Sequence, residues 1–287
     1  SILDRLAQNN RLDYYCNINQ GVVSGCDFVS ESNLQILNNR DLHVGDGIFV
    51  LDKAKQRDMD VISTFNANEI SLLKMFYKNS DIYKYVCSSE TTKRLLYLDR
   101  YCVSLDEYPN VLAHIVRFQE ILKERREVQN KRIHYFQLQW PRDKEIFTAS
   151  KILVPYRSLT NTFAYNSIEW FCRSDCYVVT QKDPSLSLKY LLALLNSKLY
   201  YVWLYHRGKR KGNTLELFNT PLSAIPIKQI PSNEQNEFIN LVDEIMMRKS
   251  ENPNSSTSEI EHKIDRLVYA LYCLTEEEVS LIENFNV

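Results

Sequence analysis

Residues 188–206 read LKYLLALLNSKLYYVWLYH and carry the strongest structural signal in the chain. Apolar side chains recur at helical spacing along this stretch, which predicts one long helix buried in a core. Lys189, Asn196, Ser197 and Lys198 interrupt its apolar character. Because lysine is costly at the centre of a bilayer, the pattern favours a core helix over a membrane span.

Strand patterns lie before this helix. The runs Lys151–Pro155 and Cys176–Thr180 are apolar enough for buried strands, and residues 47–51 and 95–98 predict two more. Helical spacing over residues 108–122 predicts a helix. Residues 68–76 predict another, with an asparagine available as the N-cap.

Helical patterns follow the long helix at residues 188–206. Apolar stripes beginning at Phe238 and Ile260 predict two amphipathic helices, and Thr275 with Glu278 forms a capping box for a third. We therefore expect a mixed α/β fold. Its strand-rich body covers residues 1–227, and a helical portion at 228–287 packs on the body or on a partner domain.

Composition limits the class of protein. With 287 residues, 44% of them hydrophobic, the chain can bury a substantial core. It opens Ser1-Ile2-Leu3-Asp4-Arg5, which lacks the apolar region of a signal peptide. Seven cysteines, an odd number, fit a reducing cytosol. We expect a cytoplasmic protein without a membrane anchor.

Charge is divided unevenly along the chain. From Lys228 to Val287 there are 12 acidic and five basic residues, whereas the preceding part holds 24 acidic and 30 basic residues. A net positive region can lie against a polyanion, and the body is the candidate for that contact.

The sequence lacks the motifs of common enzymes. It contains no Walker-type phosphate loop and no G-x-S-x-G nucleophile elbow, and Gly45-Asp46-Gly47 is interpreted as a loop. Cys172 and Cys176 lack a second ligand pair at zinc-finger spacing, so a core role is expected. His262, within Glu261-His262-Lys263, is interpreted as part of a solvated face. No catalytic residue and no metal site are predicted.

Two basic regions carry binding information. The stretch His206–Asn213 reads HRGKRKGN, and its glycines allow close approach while its cations can neutralise phosphates. A solvated loop and a localisation signal are alternative interpretations. Residues 123–151 form a second cluster, in which aromatic side chains alternate with cations including Arg142 and Lys144. That arrangement suits a nucleic-acid groove, although the aromatics also suit a core.

Several segments, in order along the chain, are similar to one family. They are Gly21–Asp27, Asn68–Lys74, Tyr108–Arg126, Trp140–Arg142, Phe147–Ile152, Tyr190–Leu199, Pro226-Ile227 and Ile264–Glu278. Together they resemble the TaqI-like C-terminal specificity domain, which is also found in type IIG restriction-modification enzymes. Two departures stand out: Cys273 replaces the family's usual glycine, and Cys26-Asp27-Phe28 differs from its usual N-[ED]-A-F.

The resemblance implies sequence-specific recognition of double-stranded DNA. It implies a parent enzyme that methylates adenine at N6 with S-adenosylmethionine, with or without a nuclease domain. Methylation in that family needs an N-P-P-[YF] motif in an upstream domain. Here Asn252-Pro253 is followed by Asn254. The chain by itself is therefore expected to bind DNA, to bind no cofactor and to lack methyltransferase activity.

Two alternatives stay open. One is a free-standing specificity subunit of the type I kind, docked on a separate methyltransferase through the C-terminal helices. The other is an intact enzyme of unrelated chemistry. Under the main hypothesis, the expected DNA contacts are Arg207, Lys209, Arg210, Lys211 and Asn213, then Arg142 and Lys144, and then the opening loop Ser24-Gly25-Cys26.

Overall fold

The computed structural model describes residues 1–37 and 39–285. Over these ranges it shows the expected mixed α/β architecture, with 15 α-helices and 11 β-strands. The strands are β1 (Cys16–Gln20), β2 (Val50–Asp52), β3 (Leu73–Tyr77), β4 (Lys93–Leu96), β5 (Lys151–Pro155), β6 (Arg157–Ser158), β7 (Ala164–Asn166), β8 (Phe171–Cys172), β9 (Cys176–Gln181), β10 (Arg210–Lys211) and β11 (Thr214–Glu216).

The helices are α1 (Ile2–Leu6), α2 (Leu12–Tyr15), α3 (Glu31–Leu37), α4 (Gln56–Thr64), α5 (Ala67–Ile70), α6 (Pro109–Val116), α7 (Gln119–Lys123), α8 (Arg126–Gln129), α9 (Glu145–Thr148), α10 (Leu188–Asn196), α11 (Lys198–Arg207), α12 (Asn219–Ser223), α13 (Asn236–Glu251), α14 (Ser258–Leu271) and α15 (Glu276–Glu283). The three longest helices, α11, α13 and α14, lie in the C-terminal third of the chain. Among the described residues, no helix combines the length and apolar character needed to cross a bilayer.

The strands form three sheets. The central sheet has the order β1-β9-β5-β7, and each neighbouring pair is antiparallel. A second sheet has the order β2-β4-β3-β8, in which only the β3–β8 pair is parallel. The third and smallest sheet, β10-β11-β6, is antiparallel.

The central sheet separates two hydrophobic cores. Successive side chains of a strand point to opposite faces, so Ile152 and Val154 belong to one core while Leu153 belongs to the other. The first core contains the buried faces of α10, α11, α13 and α14, and the second contains those of β2–β4, α6 and α7. Cys172 and Cys176 are fully buried in the second core, which confirms their predicted core role.

The predicted long helix is in fact two helices. α10 ends at Asn196 and α11 begins at Lys198, because Ser197 has an extended backbone with ψ of 160°. The side-chain amide of Asn161 donates to the carbonyls of Leu195 and Ser197, at 2.7 and 2.8 Å. These bonds satisfy carbonyls that a helix break would otherwise leave unpaired in the core. The apolar spacing is the same for a continuous and a broken helix, so it could not reveal the break.

The prediction of a helix over residues 68–76 was also wrong beyond its first turn. α5 ends at Ile70, and β3 follows from Leu73. Strand pairing with β4 and β8 outweighs the local helical preference here. The N-cap of α5 is Asn66 and not the predicted Asn68, and Asn66 forms a capping box with Glu69. The buried Glu69 carboxylate also accepts from Asn110 at the start of α6, at 2.7 Å.

Other predictions hold with shifted or divided elements. The strand Lys151–Pro155 is confirmed without change, and the strand beginning at Cys176 extends to Gln181. The helix predicted over residues 108–122 is divided between α6 and α7. All three C-terminal helices are present, and Thr275 and Glu278 form the predicted capping box of α15.

Candidate nucleic-acid interface

The basic loop after α11 is a β-hairpin, here called the basic hairpin (residues 207–216). Arg210 lies opposite Leu215 and Lys211 opposite Thr214, so Gly212-Asn213 is a two-residue turn. Gly212 has φ of +61°, and hairpin turns commonly place glycine at their first central position for this reason. β11 also pairs with β6, which attaches the hairpin to the rest of the protein.

Besides Arg207, three cations of the basic hairpin are exposed, and they lie on β10 or directly before it. They are Lys209, Arg210 and Lys211. The ammonium of Lys209 lies 5.4 Å from the ring centre of Phe218, and the guanidinium of Arg210 lies 3.7 Å from that of Tyr205. Cation–π contacts hold side chains without neutralising their charge. These cations therefore remain available to an anionic partner.

Arg207 differs from the other cations of the basic hairpin. It forms an ion pair with Asp4 at 2.7 Å, which joins the end of α11 to α1. The pair is exposed, so its contribution to stability is small, but Arg207 already has a carboxylate partner. Asn213, by contrast, is exposed at the tip of the turn.

The opening loop Ser24-Gly25-Cys26 has a defined internal geometry. The Ser24 hydroxyl donates to Asp27 and accepts from the backbone N–H of Cys26, the latter at 3.2 Å. The carbonyl of Ser24 accepts from the Arg125 guanidinium at 3.1 Å. Because Ser24 is buried and internally bonded, Gly25 is the part of the loop that solvent reaches most readily.

Gly25 is required by its backbone and its neighbours. Its φ is +86°, a backbone conformation that residues with a Cβ rarely adopt. A Cβ at this position would also lie only 2.8 Å from Oε1 of Gln139. Exposed Phe28 and Trp140 flank this loop, with 50% and 42% of their surfaces accessible. Burial raises the pKa of the Cys26 thiol to about 11, so the thiol is protonated and unreactive at neutral pH.

Arg142 lies beside the opening loop. Its Nε donates to the carbonyl of Gly21 at 3.2 Å, and its Nη2 donates to the side chain of Gln20 at 3.2 Å. Burial lowers the pKa of this guanidinium, although arginine stays charged in proteins. Lys144 is exposed and lies in a different place, in a groove that it lines with Tyr97 and Tyr101.

A row of aromatic side chains connects Arg142 with the basic hairpin. Gln20, which Arg142 contacts, lies opposite Tyr177 in the central sheet. The ring of Tyr177 lies 6.5 Å from that of Tyr156, and Tyr156 lies 6.2 Å from Phe218. Phe218 in turn contacts Lys209. The structure thus joins two groups of predicted residues that are far apart in sequence.

Three residues of this region were not predicted from the sequence. Arg157 stacks on Tyr156, with its Cζ 5.0 Å from the ring centre, and bonds to Glu216 at 2.9 Å. Tyr156 and Phe218 themselves are half-buried. Phe218 follows the basic loop by five residues, a proximity that could have drawn attention to it. Tyr156 and Arg157 gave no signal, because only the pairing of β6 with β11 brings them to the hairpin.

This region lies in a part of the chain that is similar in sequence to known proteins. Residues 74–227, which contain both Arg142 and the basic hairpin, match the sequence model of the TaqI-like C-terminal specificity domain. The chain is 25% identical over 238 residues to Type II methyltransferase M.HindII of Haemophilus influenzae, covering 80% of this chain and 40% of that protein. It is 27% identical over 199 residues to Type II methyltransferase M.HincII of Haemophilus influenzae, covering 64% and 38%.

A solved structure has a similar fold. The type IIL restriction-modification enzyme MmeI in complex with DNA superposes with a TM-score of 0.64 at 14% identity. The superposition covers 96% of this chain and 37% of that one. At this identity the likeness concerns the fold alone. The chain spans no more than about 40% of the length of the curated relatives named above.

Proposed function

Because the chain belongs to the family of TaqI-like C-terminal specificity domains, we propose that it supplies sequence-specific DNA recognition to a restriction-modification methyltransferase. The observation that carries this proposal is the family match over residues 74–227. That span includes Arg142, Lys209 and the aromatic residues of the row between them, although Gln20, which Arg142 contacts, precedes it. Exposed cations beside aromatic rings are suited to a polyanion whose bases also offer flat faces.

The catalytic partner is proposed from the relatives. M.HindII and M.HincII are methyltransferases, and this chain matches two fifths or less of each. We propose that a methyltransferase domain, in the same polypeptide or in a separate subunit, completes the enzyme in the cytoplasm. That domain would bind S-adenosylmethionine and modify adenine at N6. This chain would bind the DNA.

The contacts divide by chemistry. Lys209 and Lys211 would neutralise phosphates, which sets the position on the duplex without reading sequence. Arg210 and Asn213 carry the donor and acceptor groups that pair with guanine and adenine in the major groove. Arg207 would leave Asp4 for a phosphate.

Residues beside the hairpin would extend the interface. Arg142 would hold the opening loop through Gly21, and Ser24-Gly25-Cys26 would offer backbone groups to the DNA. Lys144 would be a secondary phosphate contact. These assignments lie within residues 1–227.

The C-terminal helices have a different proposed role. Within residues 228–287, α13 and α14 share a core with α10, so their inner faces already pack on the body. This segment holds 12 acidic and five basic residues, whereas residues 1–227 have a net positive charge. A negative surface repels DNA, and we propose that its outer faces contact the methyltransferase domain instead.

The proposal is tested by binding to random-sequence duplex DNA over a series of salt concentrations. The variant Lys209→Gln/Lys211→Gln removes two exposed charges from the basic hairpin. Lys263→Gln/Arg266→Gln removes two exposed charges from α14 and is the matched control. If both lysines contact phosphates, the hairpin variant lowers the slope of log affinity against log salt by about two, and the control leaves it unchanged.

Other outcomes would count against it. Equal slopes for the wild type and the hairpin variant would remove the basic hairpin from the interface. A wild type that binds no duplex even at low salt would contradict DNA recognition by this chain on its own. Co-purification with a separately encoded methyltransferase would distinguish a free-standing subunit from a domain of one longer polypeptide.

A further inference from the structure

Three side chains with metal-binding chemistry meet where the last two helices pack together. His262 and Asp265 lie three residues apart on α14, so they share one face of that helix. Glu283 is the last residue of α15. One ligand atom from each residue lies within 4.8 Å of the other two. His262 is exposed, as the interpretation of a solvated face expects, but it lies beside two carboxylates that sequence spacing alone did not group with it.

Neighbouring groups orient both carboxylates of this cluster. Oδ1 of Asp265 accepts from the backbone N–H of Lys198, the first residue of α11, at 2.7 Å. Oε1 of Glu283 accepts from the hydroxyl of Tyr269 at 2.8 Å. Each of these bonds occupies one oxygen of its carboxylate and leaves the second oxygen available to a ligand. Outer partners of this kind commonly fix the ligands of protein metal sites.

The charges around the cluster favour a bound cation. Asp265 is the most buried of the three residues, and Glu283 adds a second carboxylate beside it. The positive charge of Lys84 acts on Asp265 from a distance. The Lys84 ammonium itself forms an ion pair with Glu261 at 2.5 Å. Two carboxylates held side by side repel each other, and a shared divalent ion removes that repulsion.

We propose that His262, Asp265 and Glu283 bind one divalent transition-metal ion, with Zn²⁺ as the preferred metal. One imidazole nitrogen and two carboxylate oxygens form a ligand set that suits Zn²⁺, and solvent would complete the tetrahedron. Ligands about 2.1 Å from zinc lie about 3.4 Å apart in that geometry. The ligand atoms lie no more than 4.8 Å apart, so reaching that spacing requires changes of at most about 1.4 Å, and both His262 and Glu283 are exposed.

Such an ion would fasten the end of the chain to the core. α15 connects to the body through Glu278, which pairs with Arg5 of α1 at 2.5 Å, and through the contact of the Phe285 carbonyl with Lys198 at 2.7 Å. The metal would add to these links and would reinforce the Tyr269–Glu283 hydrogen bond between α14 and α15. This inference is independent of the DNA-binding proposal, because none of the three ligands belongs to the proposed DNA contacts.

The experiment uses the full chain after treatment with a chelator and its removal. Calorimetric titration with Zn²⁺ measures affinity and stoichiometry, and the visible absorption of added Co²⁺ reports tetrahedral coordination. His262→Ala and Glu283→Gln remove one ligand each. His43→Ala removes a different exposed histidine and is the control. Glu283→Gln preserves size and retains an acceptor for Tyr269, so it is the variant least expected to disturb folding.

The expected result is one Zn²⁺ per chain, with affinity reduced about tenfold or more in both ligand variants and unchanged in His43→Ala. Zinc should also raise the thermal unfolding temperature of the wild type more than that of Glu283→Gln, because an ion that binds only the folded state stabilises it. A wild type that binds no zinc, or binds it as tightly as Glu283→Gln does, would overturn the proposal.

Discussion

The side-chain amide of Asn196 forms two hydrogen bonds with the backbone of Phe163. It accepts from the N–H at 3.0 Å and donates to the carbonyl at 2.8 Å. Both residues are buried, and they lie 33 positions apart in sequence. This pair attaches the end of α10 to the chain entering β7. Because an amide reproduces the donor and acceptor of a neighbouring strand, Asn196 acts there as a substitute for strand pairing.

Replacing Asn196 with alanine should lower the free energy of unfolding by about 3 kcal/mol. The change leaves a buried N–H and a buried carbonyl of Phe163 without their partners, and each such loss costs about 1–3 kcal/mol. Urea unfolding followed by circular dichroism measures the difference. Asn213→Ala, in the exposed hairpin turn, should change stability by less than about 0.5 kcal/mol. Similar losses in both variants would show that the Asn196 pairing adds little.

Two glycines with positive φ should respond differently to alanine. At Gly25 a Cβ would meet Oε1 of Gln139 at 2.8 Å and the Arg125 side chain at 3.0 Å, whereas at Gly212 it meets no atom within 4 Å. Gly212→Ala should therefore cost only the left-handed backbone strain, about 1 kcal/mol. Gly25→Ala should cost more, because Gln139 and Arg125 must also move. Thermal unfolding of the two variants side by side checks the order, and a reversed order would refute the packing argument.

Stability should fall between pH 7 and pH 5 because of His114. Burial lowers the pKa of His114 to about 4, while histidine in an unfolded chain has a pKa of about 6.5. Between these values the unfolded state binds a proton that the folded state does not. The stabilisation is therefore complete above pH 6.5 and is lost as the pH falls toward 4.

His114→Gln tests this pH dependence. Glutamine retains a donor for the carbonyl of Ile48, which His114 contacts at 2.9 Å, and it does not titrate. From pH 7 to pH 5 the wild type should lose about 2 kcal/mol more than the variant. Urea midpoints at the two pH values provide the comparison. Parallel losses would mean that His114 is not the group responsible.

Alkylation of the seven cysteines should follow exposure and thiol pKa. Cys273 is exposed and should react first with iodoacetamide at pH 7.5. Burial raises the pKa of Cys26 to about 11, so it should react slowly even though it is only partly buried. Cys16, Cys172 and Cys176 should stay unmodified until the protein unfolds. Peptide mass spectrometry measures each rate, and early labelling of Cys172 would contradict the second core.

Local patterns were sufficient where an element depends on its own residues. The capping box of Thr275 and Glu278 and the strand Lys151–Pro155 needed only short-range information. The strand β3 could not be predicted in this way, because residues 73–77 become a strand by pairing with β4 and β8. The chemical nature of the basic hairpin was also visible locally, since Lys209, Arg210 and Lys211 are consecutive in sequence.

The sequence by itself determined the mixed fold class, the family motifs and the basic composition of the hairpin, because each depends on residue types and short spacings. Tertiary structure alone decided which cations are available: Arg207 is paired with Asp4, 203 residues away, whereas Lys211 is exposed. It also placed Arg142 and Lys209 on one row of contacts and brought His262 to Glu283. These relationships require the chain to fold back on itself, and no local spacing encodes such distances.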